Sequence, residues 1–167
     1  DITGPHPVSK DGFRFMLTII DLFSKFAVAI PLKNHEAHTV ADAFLHNWIN
    51  LFGCPSAILT DNGPEFTSHL LTDLCKALNI EKLRTTFYKP STNGACERLH
   101  RSINTTMSKV IDQNQRDWNH HVSAVMAAYR SSVHESTNFT PNQLVFGREN
   151  RTSLDEISFL ETPKKKT

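Results

Sequence analysis

The sequence predicts an α/β fold, a mixed layer architecture that opens with an antiparallel hairpin. Two patterns carry this reading. Short runs of apolar and β-branched residues at 13–20 and 26–32 flank only Asp21 and Leu22-Phe23-Ser24-Lys25, a connection short enough to be a hairpin. After Thr39 the apolar period changes to a helical one, and helical and strand-like segments then alternate, as expected of helices layered on a sheet.

The elements follow in order. Val40, Phe44, Trp48 and Phe52 recur every four residues, with Ala41, Leu45 and Ile49 beside them, as one face of a first helix. Gly53 ends that helix and Pro55 follows it, as is usual after a C-cap. Residues 56–60 read as a short buried strand running into Asp61-Asn62-Gly63-Pro64, a strong turn signal. Phe66, Leu70, Leu71, Leu74 and Leu78 mark a second helix, residues 81–87 another strand, and residues 88–94 a loop. Leu99, Ile103, Met107, Val110 and Ile111 give the stripe of a long third helix. Trp118, Val122, Val125, Met126 and Tyr129 give that of a fourth. One domain over residues 1–150 is expected, followed by a linker-like tail, 151–167, leading towards a further module.

A chain of 167 residues, 39% hydrophobic, can close a real core and is too apolar for a disordered tail. No apolar run is long enough to span a membrane. The opening Asp1-Ile2-Thr3-Gly4-Pro5 lacks the pattern of a signal peptide and has no initiator Met, so it reads as part of something longer. Cys54, Cys75 and Cys96 form no C-x-x-C pair, which disfavours a disulfide framework or a cysteine-rich zinc site.

The formal charge of +1 disfavours a nucleic-acid partner when taken whole. Divided by segment, it does not. Lys82, Arg84, Lys89, Arg98, Arg101 and Lys109 surround a single acid, Glu97, so residues 82–109 carry +5 and the remainder −4. Cations hold a nucleic-acid backbone, and a carboxylate among them can help hold a divalent ion for phosphodiester chemistry. Oxygen donors suit Mg²⁺. Asp61 stands at a strand end, where ligands gather in α/β sheets, though Asp-Asn-Gly equally starts an ordinary Asx turn. Glu97 shares the polar face of the third helix with Arg101, Asn104 and Ser108. It is alternatively a solvated residue paired with Arg101 at i+4.

Thr60-Asp61-Asn62-Gly63-Pro64-Glu65-Phe66 and Pro90-Ser91-Thr92-Asn93-Gly94-Ala95-Cys96-Glu97-Arg98 resemble the catalytic core of retroviral and long-terminal-repeat retrotransposon (gypsy-like) integrases. Thirty-five residues separate Asp61 from Glu97, the family's D,D-35-E spacing. The opening Asp1–Pro5 segment, Phe139-Thr140-Pro141 and Leu144–Gly147 resemble the family's two ends, so the likeness covers residues 1–149. It implies a ribonuclease H-like fold with a mixed five-stranded sheet flanked by helices. It also implies a polyprotein-derived enzyme, a polynucleotidyl transferase with nuclease activity. Its reactions would be 3′-end processing by water and strand transfer by the freed 3′-hydroxyl, with two Mg²⁺ or Mn²⁺ ions per site and no covalent intermediate. The partners implied are double-stranded DNA, as element ends and as target, and further copies of the chain as a dimer or larger. The nucleus would be the place of action.

The resemblance assigns Asp1, Asp61 and Glu97 as catalytic, metal-binding carboxylates. Strand pattern alone selects Asp21 as the first carboxylate, so it stays as the alternative. Asp1 places a ligand at the start of the chain, with a free α-amino group beside the metal, where its charge competes with the ions. Candidate DNA contacts are Lys89, Asn93, Gly94, Arg98 and Arg101. Asn62 supports the Asp61 turn. His100 flanks the active face, and His120-His121 sits on a solvated helix edge. Trp48, Phe52, Trp118 and Tyr129 suit a core or a dimer surface better than base stacking. Ala95-Cys96 departs from the family, which usually has a Gln or another polar or larger residue after Asn-Gly. The upstream His-His-Cys-Cys zinc pattern is absent from this sequence. Two rivals remain: a domesticated, non-catalytic integrase-derived module that binds DNA or protein, and a ribonuclease H-type nuclease.

Overall fold

Alternation along β2 (Phe15–Ile20) organises the fold. Phe15, Leu17 and Ile19 face one apolar core, while Met16 and Ile20 face another. A strand buried on both faces reads as a continuous apolar run, and this one does. The computed structural model describes residues 1–84, 90–111 and 115–150, without the side chains at 90–93, 95 and 110. The expected tail, 151–167, lies outside the described residues.

β2 pairs antiparallel with β3 (Ala27–Leu32) and, on its other edge, with the two-residue β1 (Ile2–Thr3). A second ladder is parallel, β4 (Ala57–Thr60) with β5 (Glu81–Arg84), in register from Ala57 opposite Glu81 to Thr60 opposite Arg84. Among the described residues the five strands are thus divided between a three-stranded and a two-stranded ladder. β1 is too short to carry a ladder on both edges. It stops at Gly4, whose φ of +136° suits glycine and where a Cβ would come within 2.8 Å of the Arg14 carbonyl. The two ladders still share one core, since Ile2, Leu17 and Ile58 all pack in it.

The first core lies under α1 (Ala37–Phe44), a π-helical turn (Leu45–Ile49), α3 (Pro64–Thr67) and α4 (His69–Ala77), and the short α2 (Asn50–Phe52) follows the π turn. Every-fourth spacing drifts by about 40° per step on an ordinary helix. The wider π turn offsets that drift, and Trp48 and Phe52 stay in ring contact at 5.0 Å. The single second helix expected is two, because Ser68 turns extended (ψ 150°) and caps α4 through Leu71 N–H.

The second core packs α5 (Pro90–Val110) and α6 (Trp118–Arg130) against Met16 and Ala27. Leu99 and Ile103 are its most buried α5 residues, each contributing about 1.5–3 kcal/mol by transfer from water. Of the loop expected over 88–94, residues 90–94 are helical instead, and 88–89 lie outside the described residues. α5 begins at Pro90, since proline is favoured at a helix start, where its missing N–H leaves no bond unmade. Trp118 is buried and donates from Nε1 to the Pro7 carbonyl (2.9 Å), and Tyr129 donates to Lys25 O (3.2 Å). Burial pushes the Tyr129 phenol up to about 12. Both aromatics serve packing. The last helix, α7 (Pro141–Phe146), is held by a Thr140/Gln143 capping box. Among the described residues no helix is long and apolar enough to cross a membrane.

Candidate active site

Asp1 continues the β1–β2 ladder by one residue. Its carbonyl accepts from Thr18 N–H (2.8 Å) and the Thr18 hydroxyl (3.1 Å), and its amino group donates back to Thr18 O (3.0 Å). These bonds fix the backbone and leave the carboxylate to project from the sheet. That side chain is 35% exposed, with His100 Nδ1 of α5 3.5 Å from Oδ2.

Asp61 follows the last residue of β4. Its Oδ1 accepts from Gly63 N–H at 3.0 Å, so the Asx turn expected of Asp-Asn-Gly is formed. A carboxylate has acceptor capacity beyond one such bond, and Asp61 is exposed. The turn therefore orients the carboxylate without exhausting it. Glu65 folds back over the same turn, its Oε1 2.7 Å from where a Gly63 Cβ would stand.

Asp61 and Glu65 on one ladder lie within electrostatic reach of the Asp1 backbone nitrogen on the other.

Glu97 is exposed on the polar face of α5, with Arg101, Asn104 and Ser108. Arg101 and Glu97, both described, form no ion pair. Among the described residues no three His, Cys, Asp or Glu side chains converge closely enough to hold a metal ion. Mg²⁺ is commonly held by one or two carboxylates, with water and substrate phosphate completing the shell. The oxygen donors of Asp1 and Asp61 fit that pattern, and Glu97 lies on the neighbouring helix.

Asp21 takes a different position. Its Oδ2 accepts from the Ser24 hydroxyl (2.5 Å) and Ser24 N–H (2.8 Å), and its Oδ1 from Phe23 N–H (3.4 Å). Burial alone would raise its pKa, but the Ser24 and Phe23 donors and Lys25 outweigh it and hold the carboxyl low. Asp21 thus ties the β2–β3 hairpin.

The basic residues divide as well. Lys82 Nζ donates to the Phe66 carbonyl and to Thr72 Oγ1 (3.0 Å), joining β5 to α3 and α4, so this cation of the +5 segment serves the fold. Arg101 and Arg98 are exposed on α5, and the Arg98 guanidinium lies over Gly94, 3.1 Å from where a Cβ would be. Gly94 lies within α5, so the side chain nearest to it is that of its own helix. Lys89 and the side chain of Asn93 lie outside the described residues. His120 and His121 pair with Asp11 (3.1 Å) and Asp117 (2.8 Å), on the helix edge expected.

Sequence reasoning undervalued His100. Its ring is 14% exposed and bridges Asp1 and Thr18, with Nε2 2.7 Å from Thr18 Oγ1. The available signal was its place one turn after Glu97 and one residue after the buried Leu99. Glu65, four residues after Asp61, was likewise legible as a neighbour of that turn.

The chain matches the family described as "Integrase core domain" over residues 1–90. It is 34% identical over 148 residues to the retrovirus-related Pol polyprotein from transposon 412 of Drosophila melanogaster, covering 89% of this chain and 12% of that protein. It is 30% identical over 137 residues to the transposon Tf2-3 polyprotein of Schizosaccharomyces pombe, covering 81% and 10% respectively. The chain thus spans about a tenth of the length of these relatives. Its fold resembles the HTLV-2 integrase catalytic core domain solved in complex with magnesium (trimeric form), with TM-score 0.68, 22% identity, and 86% of this chain and 90% of that one covered. It also resembles a chain of the simian T-cell lymphotropic virus intasome solved with the PP2A regulatory subunit B56 gamma, with TM-score 0.69, 24% identity, and coverage of 92% and 54%. With its ribonuclease H-like architecture, this chain belongs to the integrase core domain family of retroviral and retrotransposon Pol polyproteins.

Proposed function

We propose that the domain joins retroelement DNA to target DNA as a metal-dependent polynucleotidyl transferase, first trimming 3′ ends with water and then transferring the strand. The observation that carries this reading is the membership of the integrase core family together with the placement of Asp61 directly after β4, its carboxylate oriented by Gly63 N–H, and of Asp1 against β2. Asp1, Asp61 and Glu97 would hold Mg²⁺ or Mn²⁺, two ions per site. When bound, such ions activate an attacking oxygen and stabilise a leaving one.

The chain's own residues orient the reactants. Gly63 N–H fixes the rotamer of Asp61, and the Thr18 backbone fixes Asp1. Arg101 and Arg98 offer exposed cations to DNA phosphates on the helix that carries Glu97. DNA ends and target duplex are the proposed partners, with a dimer or larger assembly of the chain, acting in the nucleus.

The test is an oligonucleotide assay for nicking and strand transfer in Mn²⁺ or Mg²⁺, comparing the wild-type chain with Glu97→Gln. Metal-dependent joining that disappears in the variant supports the reading. Equal behaviour of the two, with DNA binding but no joining, favours the non-catalytic module instead.

A further inference from the structure

His100 bridges elements that must keep a fixed relation if Asp1 and Glu97 are to act on one reacting centre. Asp1 is fastened to β2 by backbone bonds at Thr18. Glu97 is on α5, which packs on the sheet through Leu99, Ile103 and Met107. Apolar packing of a helix on a sheet is tolerant of small slides, because dispersion is non-directional. The polar connection between these two elements at the site is the His100 ring, with Thr18 Oγ1 2.7 Å from Nε2 and Asp1 Oδ2 3.5 Å from Nδ1.

Thr18 Oγ1 donates to the Asp1 carbonyl at 3.1 Å and stands 2.7 Å from His100 Nε2, so the ring is tied to β2 at the same residue that fastens Asp1. Nδ1 of the same ring stands 3.5 Å from the Asp1 carboxylate, and an outer side chain set against a metal-binding carboxylate can orient it.

We propose that His100 is a positioning residue, which aims the Asp1 carboxylate and locks the Glu97-bearing helix in register with β1 and β2. The inference rests on the metal-binding reading of Asp1 and Glu97. Removing such an outer partner costs about 10- to 100-fold in metal affinity. His100→Phe keeps a ring in the same pocket and removes both nitrogens. His100→Asn restores an N–H that can reach Asp1.

The experiment is a calorimetric Mn²⁺ titration of the wild-type chain, His100→Phe, His100→Asn and Thr18→Val, with circular dichroism to establish that each is folded. The expected result is weaker Mn²⁺ binding by about 10-fold or more in His100→Phe, a smaller loss in Thr18→Val, and recovery in His100→Asn. Wild-type affinity in a folded His100→Phe overturns the positioning role and leaves the metal reading intact. No Mn²⁺ binding by the wild-type chain overturns the metal reading itself, and this inference with it.

Discussion

Asp1 and Asp21 flank strands of the same antiparallel ladder, yet the surroundings give their carboxylates opposite work. Asp21 accepts three hydrogen bonds from the turn that follows it, two from Ser24 and one from Phe23. Asp1 is held by its backbone, while its carboxylate, 35% exposed, stands beside His100. A strand-end aspartate saturated by its own turn stabilises a hairpin. One fastened chiefly through its backbone keeps acceptor capacity for a ligand. Residue type is the same in both cases, so donor supply decides the role.

The comparison is broken most forcefully at the proposed ligands. Asp61→Asn and Glu97→Gln are each expected to lower metal-dependent strand transfer by roughly three orders of magnitude, as the loss of several kcal/mol of charge stabilisation implies. Circular dichroism and the melting temperature should scarcely change, because both side chains are exposed. A folded, fully active Asp61→Asn would remove Asp61 from the site.

Substitution on the other side of the comparison acts on stability. Asp21→Ala removes charge-assisted bonds at a partly exposed turn, worth about 1–2 kcal/mol. A fall in melting temperature of about 2–8 °C follows for a domain of this size. The pH dependence has a definite sign. The carboxyl pKa of Asp21 is depressed by folding, so its stabilisation is complete above the unfolded carboxylate pKa and is lost as pH falls through the lower folded value. Asp21→Asn should flatten the acid limb of a stability–pH curve, and an unchanged limb would count against the hairpin role.

The cations separate in the same way. Arg101→Ala should weaken DNA binding and reduce the slope of log K against log salt by about 1. Lys82→Met should leave that slope alone and lower stability by about 1–2 kcal/mol, since its ammonium is engaged by Phe66 and Thr72. Fluorescence-anisotropy salt titrations and thermal melts measure both. The smallest effect expected is Thr140→Ala, about 1 kcal/mol from the lost cap of α7.

What the sequence made legible follows this division. Strands 13–20 and 26–32 and the stripes of α5 and α6 could be read because each buries an apolar face with its own period. The start of α5 was not, since Pro90-Ser91-Thr92-Asn93-Gly94 is turn-like in composition while Pro90 also suits a helix start. The break at Ser68 was legible as an N-cap but masked by the continuous stripe from Phe66 to Leu78. Of the site, the Asp61 turn and the polar face of Glu97 could be read locally. Asp1 needed the family resemblance, because β1 is two residues long and has no periodicity to detect. His100 and Lys82 depend on contacts between distant segments, to which local spacing is blind.

The central claim is that Asp1, and not Asp21, is the first metal-binding carboxylate. Mn²⁺-dependent strand transfer by Asp1→Asn and Asp21→Asn, assayed side by side below the melting transition of both, tests it most directly. The account predicts that joining is lost in Asp1→Asn and retained in Asp21→Asn, whose only deficit is a lower melting temperature. Loss of joining in a folded Asp21→Asn, with activity retained in Asp1→Asn, would contradict it.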